Sequence, residues 1–396
     1  MTLDEAKRAR AAVAAMFAAN GFTMGAWAPQ IPLLLPRHQI SEFTLGLLIL
    51  VLGLGAVSAM LFAGRLIARF GTVPVLRVFA LGIVPSLPAV VLAPSLWLLA
   101  PAMAALGALI GCMDVAMNAN AVEVERRLGR AIMSSSHGFW SLGGFLGGTF
   151  GAALIARASA EAQALATAAL VAGVVLLAQA ALKGEPPHPV PAPAGGRRRG
   201  LLPRAAGIWV LGAMALFSMV PEGAVLDWAA LYLQDELAAS TFASGLGFAF
   251  FAGAMAVMRF AGDGLRNRFG AVQTLRLSGL IGAAGLLIGA VAPAAPLAIA
   301  GFALAGLGVA NMVPILFSAA GNYPGQAAGA AISAVTMVGY TGILVAPASI
   351  GFVAEHIGYR PTYAVLAGLL VVVATLAPRT AMADARHAPP AAPTAR

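Results

Sequence analysis

Three carboxylates lie inside long apolar runs of this 396-residue chain: Asp114, Glu222 and Asp227. A carboxylate at the centre of a membrane helix costs about 2.5–3.5 kcal/mol on insertion scales, so each should face a cavity or a partner. A carboxyl group buried away from water favours its neutral form, which makes the three residues candidates for proton coupling. The alternative for each is an acid buried for packing alone or, for Asp227, a cap near the outer surface.

Asp114 has the position and neighbours expected of a solute or proton site. It lies 12 residues from Arg126, about 18 Å along a helix, which is close to the middle of a ~30 Å hydrocarbon core. Gly107, Gly111, Asp114 and Asn118 are spaced so that they share one helix face. This small, polar face is expected to line the cavity.

Hydrogen-bonding and aromatic residues in other apolar runs are predicted to contact the solute. His137 and Trp140 lie one helical turn apart, as do Thr336 and Tyr340. The alternatives are a His137 bonded to a neighbouring helix and a Trp228 anchored at the membrane interface. The predicted solute-binding residues are Asn118, His137, Trp140, Trp228, Asn311, Thr336 and Tyr340.

A second charged group is predicted to form an inner gate. Arg259 and Asp263 have i, i+4 spacing, so we expect an ion pair between them rather than a solute site. Arg69 and Arg268 occupy equivalent positions of a nine-residue segment that occurs twice, at 69–77 and 268–276, and both are assigned to the same gate. Glu123 and Glu125 are expected to join the gate through the arginines that follow them, Arg126, Arg127 and Arg130.

Composition identifies the elements that carry these residues as membrane helices. Sixty per cent of the residues are hydrophobic, ten per cent are charged, and the mean hydropathy is +0.88. Pairs of glycines four residues apart suit close helix contacts in lipid, among them Gly21/Gly25, Gly107/Gly111, Gly143/Gly147, Gly144/Gly148 and Gly285/Gly289. Twelve spans are predicted, at about 11–35, 43–67, 74–92, 96–122, 130–156, 162–182, 205–233, 242–265, 271–291, 295–319, 326–353 and 361–378.

The chain divides into two six-helix halves, 1–182 and 205–378. The intervening residues 183–204 contain six prolines and three consecutive arginines and are predicted to form a solvated cytoplasmic linker. The tail, 379–396, is predicted to be disordered. With alternate loops assigned to one side, 21 of the 24 basic residues share that side, which indicates the cytoplasm and places both termini there. This distribution also argues against binding to nucleic acid.

A nine-residue sequence segment occurs twice, at an offset of 199 residues. Six of nine positions are identical between 69–77 and 268–276, and Gly46, Gly71 and Gly107 align with Gly245, Gly270 and Gly306. Because each half starts on the same side, the halves are predicted to form a parallel repeat that alternates access around a site at the midplane.

The loop after the second predicted span reads Gly64-Arg65-Leu66-Ile67-Ala68-Arg69-Phe70-Gly71. This segment is similar to the Gly-x-Leu-x-Asp-Arg-x-Gly motif of the major facilitator superfamily, without the motif's acid, and the chain resembles transporters of that superfamily over its whole length. Ala68 and its counterpart Asn267 replace the acid, so the clamp that the motif forms at the cytoplasmic gate is expected to be weaker or built differently.

Four further segments resemble the MosC-like and fucose-permease-like branch: 114–118, 136–141, 222–228 and 314–318. The fucose permeases also hold an acid in the first span, where this chain has Ala28. Asp227 occupies the equivalent position of the second half and is a candidate to replace it.

These observations predict an all-α multi-pass protein of the bacterial inner membrane with the major facilitator fold. We expect a monomer that moves a small hydrophilic solute, sugar or cyclitol-like, by proton symport. The alternative is a proton-driven exporter of amphipathic drugs or metabolites. No catalytic residues, metal ligands or cofactor are expected, because the sequence contains no metal-ligand motif and no nucleophile elbow.

Overall fold

The computed structural model describes residues 2–31, 33–184 and 203–387, which form helices without any strand. Short 3-10 helices cover Ala28–Gln30 and Ala377–His387. Eleven helical stretches of the described chain are long and apolar enough to cross a bilayer. The α-helices are α1 (Leu3–Trp27), α2 (Leu34–His38), α3 (Glu42–Phe70), α4 (Thr72–Ile83), α5 (Ser86–Val91), α6 (Leu96–Leu128), α7 (Met133–Arg157), α8 (Ala160–Gln179), α9 (Ala206–Asp235), α10 (Thr241–Val291), α11 (Ala295–Val309), α12 (Met312–Gly321), α13 (Ala328–Ile357) and α14 (Tyr359–Leu376).

The count of eleven differs from the predicted twelve because α10 contains both the eighth and the ninth predicted spans. Its 51 residues would extend about 76 Å as one straight helix, more than twice the ~30 Å hydrocarbon core. Gly270 interrupts the helix with φ 79° and ψ 163°. Only glycine adopts this backbone conformation without steric cost, so the break is specified by the sequence.

The repeated nine-residue segment has the same conformation in both copies. Gly71 separates α3 from α4 with φ 84° and ψ 166°, close to the values at Gly270. The guanidinium of Arg69 lies 5.0 Å from the centre of the Phe70 ring, and that of Arg268 lies 5.3 Å from the Phe269 ring. Similar sequence has therefore produced similar local structure at the 199-residue offset.

Helix packing follows the same repeat. In the first half α1 packs against α7, and in the second half α9, the equivalent of α1, packs against α13, the equivalent of α7. Between the halves, α3 packs against α13 and α10 packs against α7. At the 199-residue offset, α3 is equivalent to the first part of α10, and α7 is equivalent to α13. The two contacts between the halves are therefore equivalent to each other, as in a pair related by a two-fold pseudo-symmetry axis.

The predicted glycine pairs lie where helix backbones approach each other closely. Cβ atoms built on Gly21 and Gly25 would overlap the backbones of Trp140 and Gly144 on α7. Likewise, a Cβ on Gly107 would overlap the backbone of Leu52 on α3. Glycine thus permits contacts that any side chain would prevent, as expected for helices associating in lipid.

Both ends of the described chain lie at one end of the bundle, which we call the basic end. There Arg10 of α1 donates to Ser135 of α7 at 2.5 Å, and Arg266 of α10 pairs with Asp384 at 3.7 Å. At the opposite end, Arg37 pairs with Glu161 within the first half. A corresponding pair within the second half joins Arg360 and Glu236 at 3.1 Å.

The prediction of a disordered tail is wrong for its first residues. Residues 377–387 form a 3-10 helix in which Thr380 and Ala383 are fully buried. Asp384 accepts a hydrogen bond from the backbone N–H of Ala271 at 2.5 Å, just after the break at Gly270. The sequence contains many small residues here, and their packing against α10 and α12 was not apparent from composition. Residues 388–396, and most of the predicted linker (185–202), lie outside the described chain.

We expect Gly21→Ala to destabilise the protein by roughly 1–3 kcal/mol, because the added methyl group overlaps the Trp140 backbone and forces α1 and α7 apart. Gly173→Ala is the matched control, since no atom lies within 4 Å of a Cβ built at that position. The apparent melting temperature in detergent should fall for the first variant only. Equal melting temperatures for the two variants would contradict this account of the contact.

Candidate functional site

A cavity of about 210 Å³ lies between the two halves, and it brings together Arg259 and the three carboxylates predicted for proton coupling. Helices α6 and α7 of the first half and α9, α10, α12 and α13 of the second half contribute to it. The residues that line it are Asp114, His137, Trp140, Met219, Glu222, Gly223, Leu226, Asp227, Arg259, Val313, Phe317 and Tyr340.

Asp114 lies in the cavity wall with one carboxyl oxygen unsatisfied. The residue is 3% exposed, and its Oδ2 atom has no hydrogen-bond partner. A buried, ionised carboxylate with an unpaired oxygen is costly, and either a proton or a hydroxyl group of a bound solute would remove that cost. The position supports both roles predicted for this residue.

The predicted ion pair between Arg259 and Asp263 is wrong. Arg259 instead pairs with Glu222 of α9 at 3.2 Å and donates a hydrogen bond to the hydroxyl of Ser141 on α7. The i, i+4 spacing permits a pair along α10, but two partners on neighbouring helices hold the guanidinium at the cavity. Arg259 therefore belongs to the central site rather than to the gate, and Glu222 is not an isolated carboxylate.

Two aromatic side chains of α7 are held by buried asparagines. The Nε1–H of Trp140 donates to Oδ1 of Asn20 on α1 at 2.9 Å. The Nε2 atom of His137 lies 3.1 Å from Oδ1 of Asn118 on α6, and its ring packs 5.2 Å from Phe17. Asn118 is fully buried behind His137 and does not line the cavity, so its predicted direct contact with solute is not supported. Asn20 is not among the residues predicted from the sequence.

Three other predicted solute contacts lie outside the cavity lining. Trp228 packs against Gly351 and lies 6.2 Å, centre to centre, from the ring of Tyr359. Asn311 lies beside Gly262 at the junction of α11 and α12. Asn311 and Thr336 are buried, and both have a side-chain oxygen without a partner.

A buried polar network joins the two halves at the basic end, with a partner for Glu125 that was not predicted from the sequence. Glu125 of α6 is completely buried and pairs with Arg266 of α10 at 3.4 Å. The hydroxyl of Ser318 on α12 donates to the same carboxylate at 2.5 Å, and Arg266 donates to Ala383 O at 2.8 Å. Residues from both halves and from the C-terminal 3-10 helix therefore meet at one ion pair.

The start of α7 is capped by two carboxylates, one from each half. Glu125 accepts the backbone N–H groups of Ile132 and Met133 at 2.8 and 3.2 Å. Asp263 accepts those of Ser134 and Ser135 at 2.9 and 3.0 Å. The four N–H groups at the start of a helix have no partner within that helix, and its dipole favours negative charge at this end. Asp263 thus lies at the basic end, where the gate is predicted, and its partner is a helix terminus rather than Arg259.

The two arginines that the sequence repeat assigns to the gate make no ion pair with any described residue. Arg69 and Arg268 are exposed, and each lies over the phenylalanine that follows it. Asn267, which replaces the acid of the family motif in the second half, accepts the N–H of Ala131 at 2.8 Å. Asn267 and Asp263 of the second half thus both accept backbone N–H groups at or just before the start of α7.

The family model of the Major Facilitator Superfamily matches residues 13–340 and 228–396. The chain belongs to this superfamily. It is therefore a membrane transporter rather than an enzyme, and the resemblance found in the sequence is confirmed.

Relatives of similar length support the same assignment. An uncharacterised transporter of Sinorhizobium fredii, y4wD, is 34% identical over 92% of this chain and 96% of its own. An uncharacterised superfamily transporter of Yersinia pestis is 36% identical over 90% of this chain and 92% of its own. The membrane protein MosC of Rhizobium meliloti is 30% identical over 92% and 88%.

Solved structures share the fold at low sequence identity. The fucose:proton symporter of E. coli superposes with a TM-score of 0.72 at 18% identity, covering 93% of this chain and 98% of its own. The human organic anion transporter MFSD10 gives 0.76 at 17% identity, covering 94% and 99%. These similarities establish the all-helical architecture.

We expect Arg266→Met to destabilise the protein by about 3–5 kcal/mol, because it removes the cation that pairs with the buried Glu125 carboxylate. Adding Glu125→Gln should recover most of the loss, since the buried negative charge is then removed as well. Arg268→Met, two residues away and exposed, is the control and should leave the melting temperature unchanged. An unchanged melting temperature in Arg266→Met would show that the network does not stabilise this conformation.

Proposed function

We propose that this transporter moves a small hydrophilic solute, sugar or cyclitol-like, by alternating access and proton symport. The observation that carries the proposal is the meeting of Asp114, His137, Trp140 and Tyr340 in one cavity between the halves. Carboxylate and imidazole groups suit hydroxyl recognition, and the indole and phenol rings offer apolar faces to a sugar ring.

The size of the cavity favours this class of solute over the alternative. Its volume of about 210 Å³ is below the roughly 300–1,000 Å³ typical of sites for drug-sized molecules. An exporter of amphipathic drugs would need a larger space. Three carboxylates and a guanidinium also contribute to the lining, beside its apolar residues.

Charge in the cavity argues against an anionic solute. Asp114, Glu222 and Asp227 face a single cation, Arg259, and Glu222 already pairs with it. Although the fold is similar to that of the human organic anion transporter MFSD10, we therefore do not propose an organic anion as the solute of this chain. The fucose:proton symporter and the proton:xylose symporter XylE, which superposes with a TM-score of 0.66 at 13% identity, bind neutral sugars by name.

In this proposal the two parts of α10 on either side of Gly270 cross the membrane separately, giving twelve spans in two six-helix halves. The basic end then faces the cytoplasm of a bacterial inner membrane, with both termini inside. The hydrogen bonds and ion pairs described between the halves lie at the cavity or on its basic side. This arrangement fits a state closed to the cytoplasm.

Coupling would arise because a proton and a solute both satisfy Asp114. Its unpaired Oδ2 atom lies about 16 Å along α6 from Glu125, if the helix rises ~1.5 Å per residue. The proton site and the closed gate therefore share one helix. Asp227 is proposed as a second acid of the site, in place of the first-span acid of the fucose permeases.

Asp114→Asn should abolish solute accumulation driven by a pH gradient, because an amide cannot carry the coupling proton. Solute exchange without a gradient should persist, since the amide still hydrogen-bonds to hydroxyl groups. Proteoliposomes loaded with candidate sugars and cyclitols separate the two activities and also give the direction of flux. Asp235→Asn, at an exposed acid near the end of α9, is the control. Normal accumulation with unchanged pH dependence in Asp114→Asn would rule out Asp114 as the coupling group.

A further inference from the structure

The hydrogen-bond donors of the cavity are partly engaged by the protein itself. The Trp140 N–H is bonded to Asn20. Arg259 donates from Nη1 to Ser141 and from Nη2 to Glu222, whereas its Nε–H is buried and has no partner among the described residues. The unpaired Oδ2 atom of Asp114 is an acceptor. The position of the hydrogen on the His137 ring decides whether a bound solute meets a second acceptor.

The orientation of Asn118 decides what His137 offers to the cavity. The Nδ2 atom of Asn118 lies 2.9 Å from the carbonyl oxygen of Asp114, and only an NH₂ group can donate to a carbonyl. The other amide atom, 3.1 Å from His137 Nε2, must therefore be the oxygen, which only accepts. Consequently Nε2 of His137 carries a hydrogen, and in the neutral ring Nδ1 is left as an acceptor.

A second buried asparagine, Asn20 of α1, holds the ring of Trp140 in the same way. Trp140 lies one turn after His137 on α7. The Nδ2 atom of Asn20 donates to the carbonyl oxygen of Ile110 at 3.4 Å, and its oxygen accepts the Trp140 N–H. The two carbonyl groups, on Ile110 and Asp114, are four residues apart on α6 and so lie on one face of that helix. Both asparagines are fully buried, and neither contributes to the cavity lining.

We propose that Asn118 and Asn20 are positioning residues that set the specificity of the cavity. Asn118 fixes His137 as an acceptor through Nδ1, and Asn20 holds Trp140 so that only the apolar face of its ring is available. The selected solute then supplies donors, namely hydroxyl hydrogens around a small ring, and its ring face lies against Trp140. The solute class rests on the proposed function, whereas the state of the His137 ring does not.

The state of the ring is tested first, without any solute. Protein labelled with ¹⁵N at its five histidines gives nitrogen shifts that distinguish the two neutral tautomers, and His137→Gln identifies the signal of interest. We expect a protonated Nε2 and an unprotonated Nδ1 in the wild-type protein at neutral pH. A hydrogen on Nδ1, alone or together with one on Nε2, would overturn the proposal.

Asn118→Ala and the larger, apolar Asn118→Leu should give a mixture of tautomers, because nothing then accepts the Nε2 hydrogen. Two variants are used so that a folding defect in one does not prevent the test. Asn120→Ala is the matched control: Asn120 is equally buried on α6, but it donates to Thr72 and to Lys183 O at the basic end. A control that shifts the His137 signal as much as the Asn118 variants would contradict a local effect.

Specificity is tested with D-glucose, myo-inositol and their monodeoxy-monofluoro derivatives, in which one hydroxyl donor is replaced by fluorine. For whichever parent compound binds, fluorine at the position facing His137 should weaken binding about 10-fold or more, because a buried acceptor loses its partner. In the Asn118 variants this penalty should fall to about 2-fold. An undiminished penalty would overturn the role of Asn118. Failure of every compound to bind would count against the proposed solute class, while the nitrogen shifts still decide the role of Asn118.

Discussion

A polar group inside a membrane bundle must find its partner within the protein, and the described structure depends on this constraint. Water in the hydrocarbon region is limited to cavities, so a buried charge must pair with a polar or charged group on a neighbouring helix. Arg259 joins α10 to α9 and α7, and Arg266 joins α10 to α6 and the C-terminal 3-10 helix. Two arginines seven residues apart on one helix face thus bind the halves together at the cavity and at the basic end.

The spans and the repeat could be predicted from sequence, because both depend on local patterns. Apolar runs of sufficient length must be helical in lipid, and a glycine such as Gly270 fixes a turn by itself. The pairing of charges could not be predicted, since it depends on which helices become neighbours. Arg259 has an acid one turn away at Asp263, yet its partner Glu222 is 37 residues distant. Asn20 carried no signal, because its importance comes from a ring on another helix.

The two halves repeat their backbone but not their chemistry. Position 64 is a glycine close to the backbone at the start of α13, whereas its counterpart, Asp263, caps the start of α7 with a carboxylate. Position 28 is an alanine, whereas its counterpart, Asp227, lines the cavity. A shared framework with unequal side chains allows the second half to supply acids that the first half lacks. The site is therefore asymmetric although the fold is nearly two-fold symmetric.

Helix α7 connects the gate to the cavity through these unequal contacts. Its first turn is capped by Glu125 from its own half and by Asp263 from the other, and His137 begins the next turn. Separation of the halves at the basic end would remove Asp263 from the N–H groups of Ser134 and Ser135, which would then need water as a replacement. That exchange is possible only when the end is open to solvent, because an uncapped helix start is costly when dry. The contacts between the halves at the basic end and the positions of the rings that line the cavity are thus properties of the same helix.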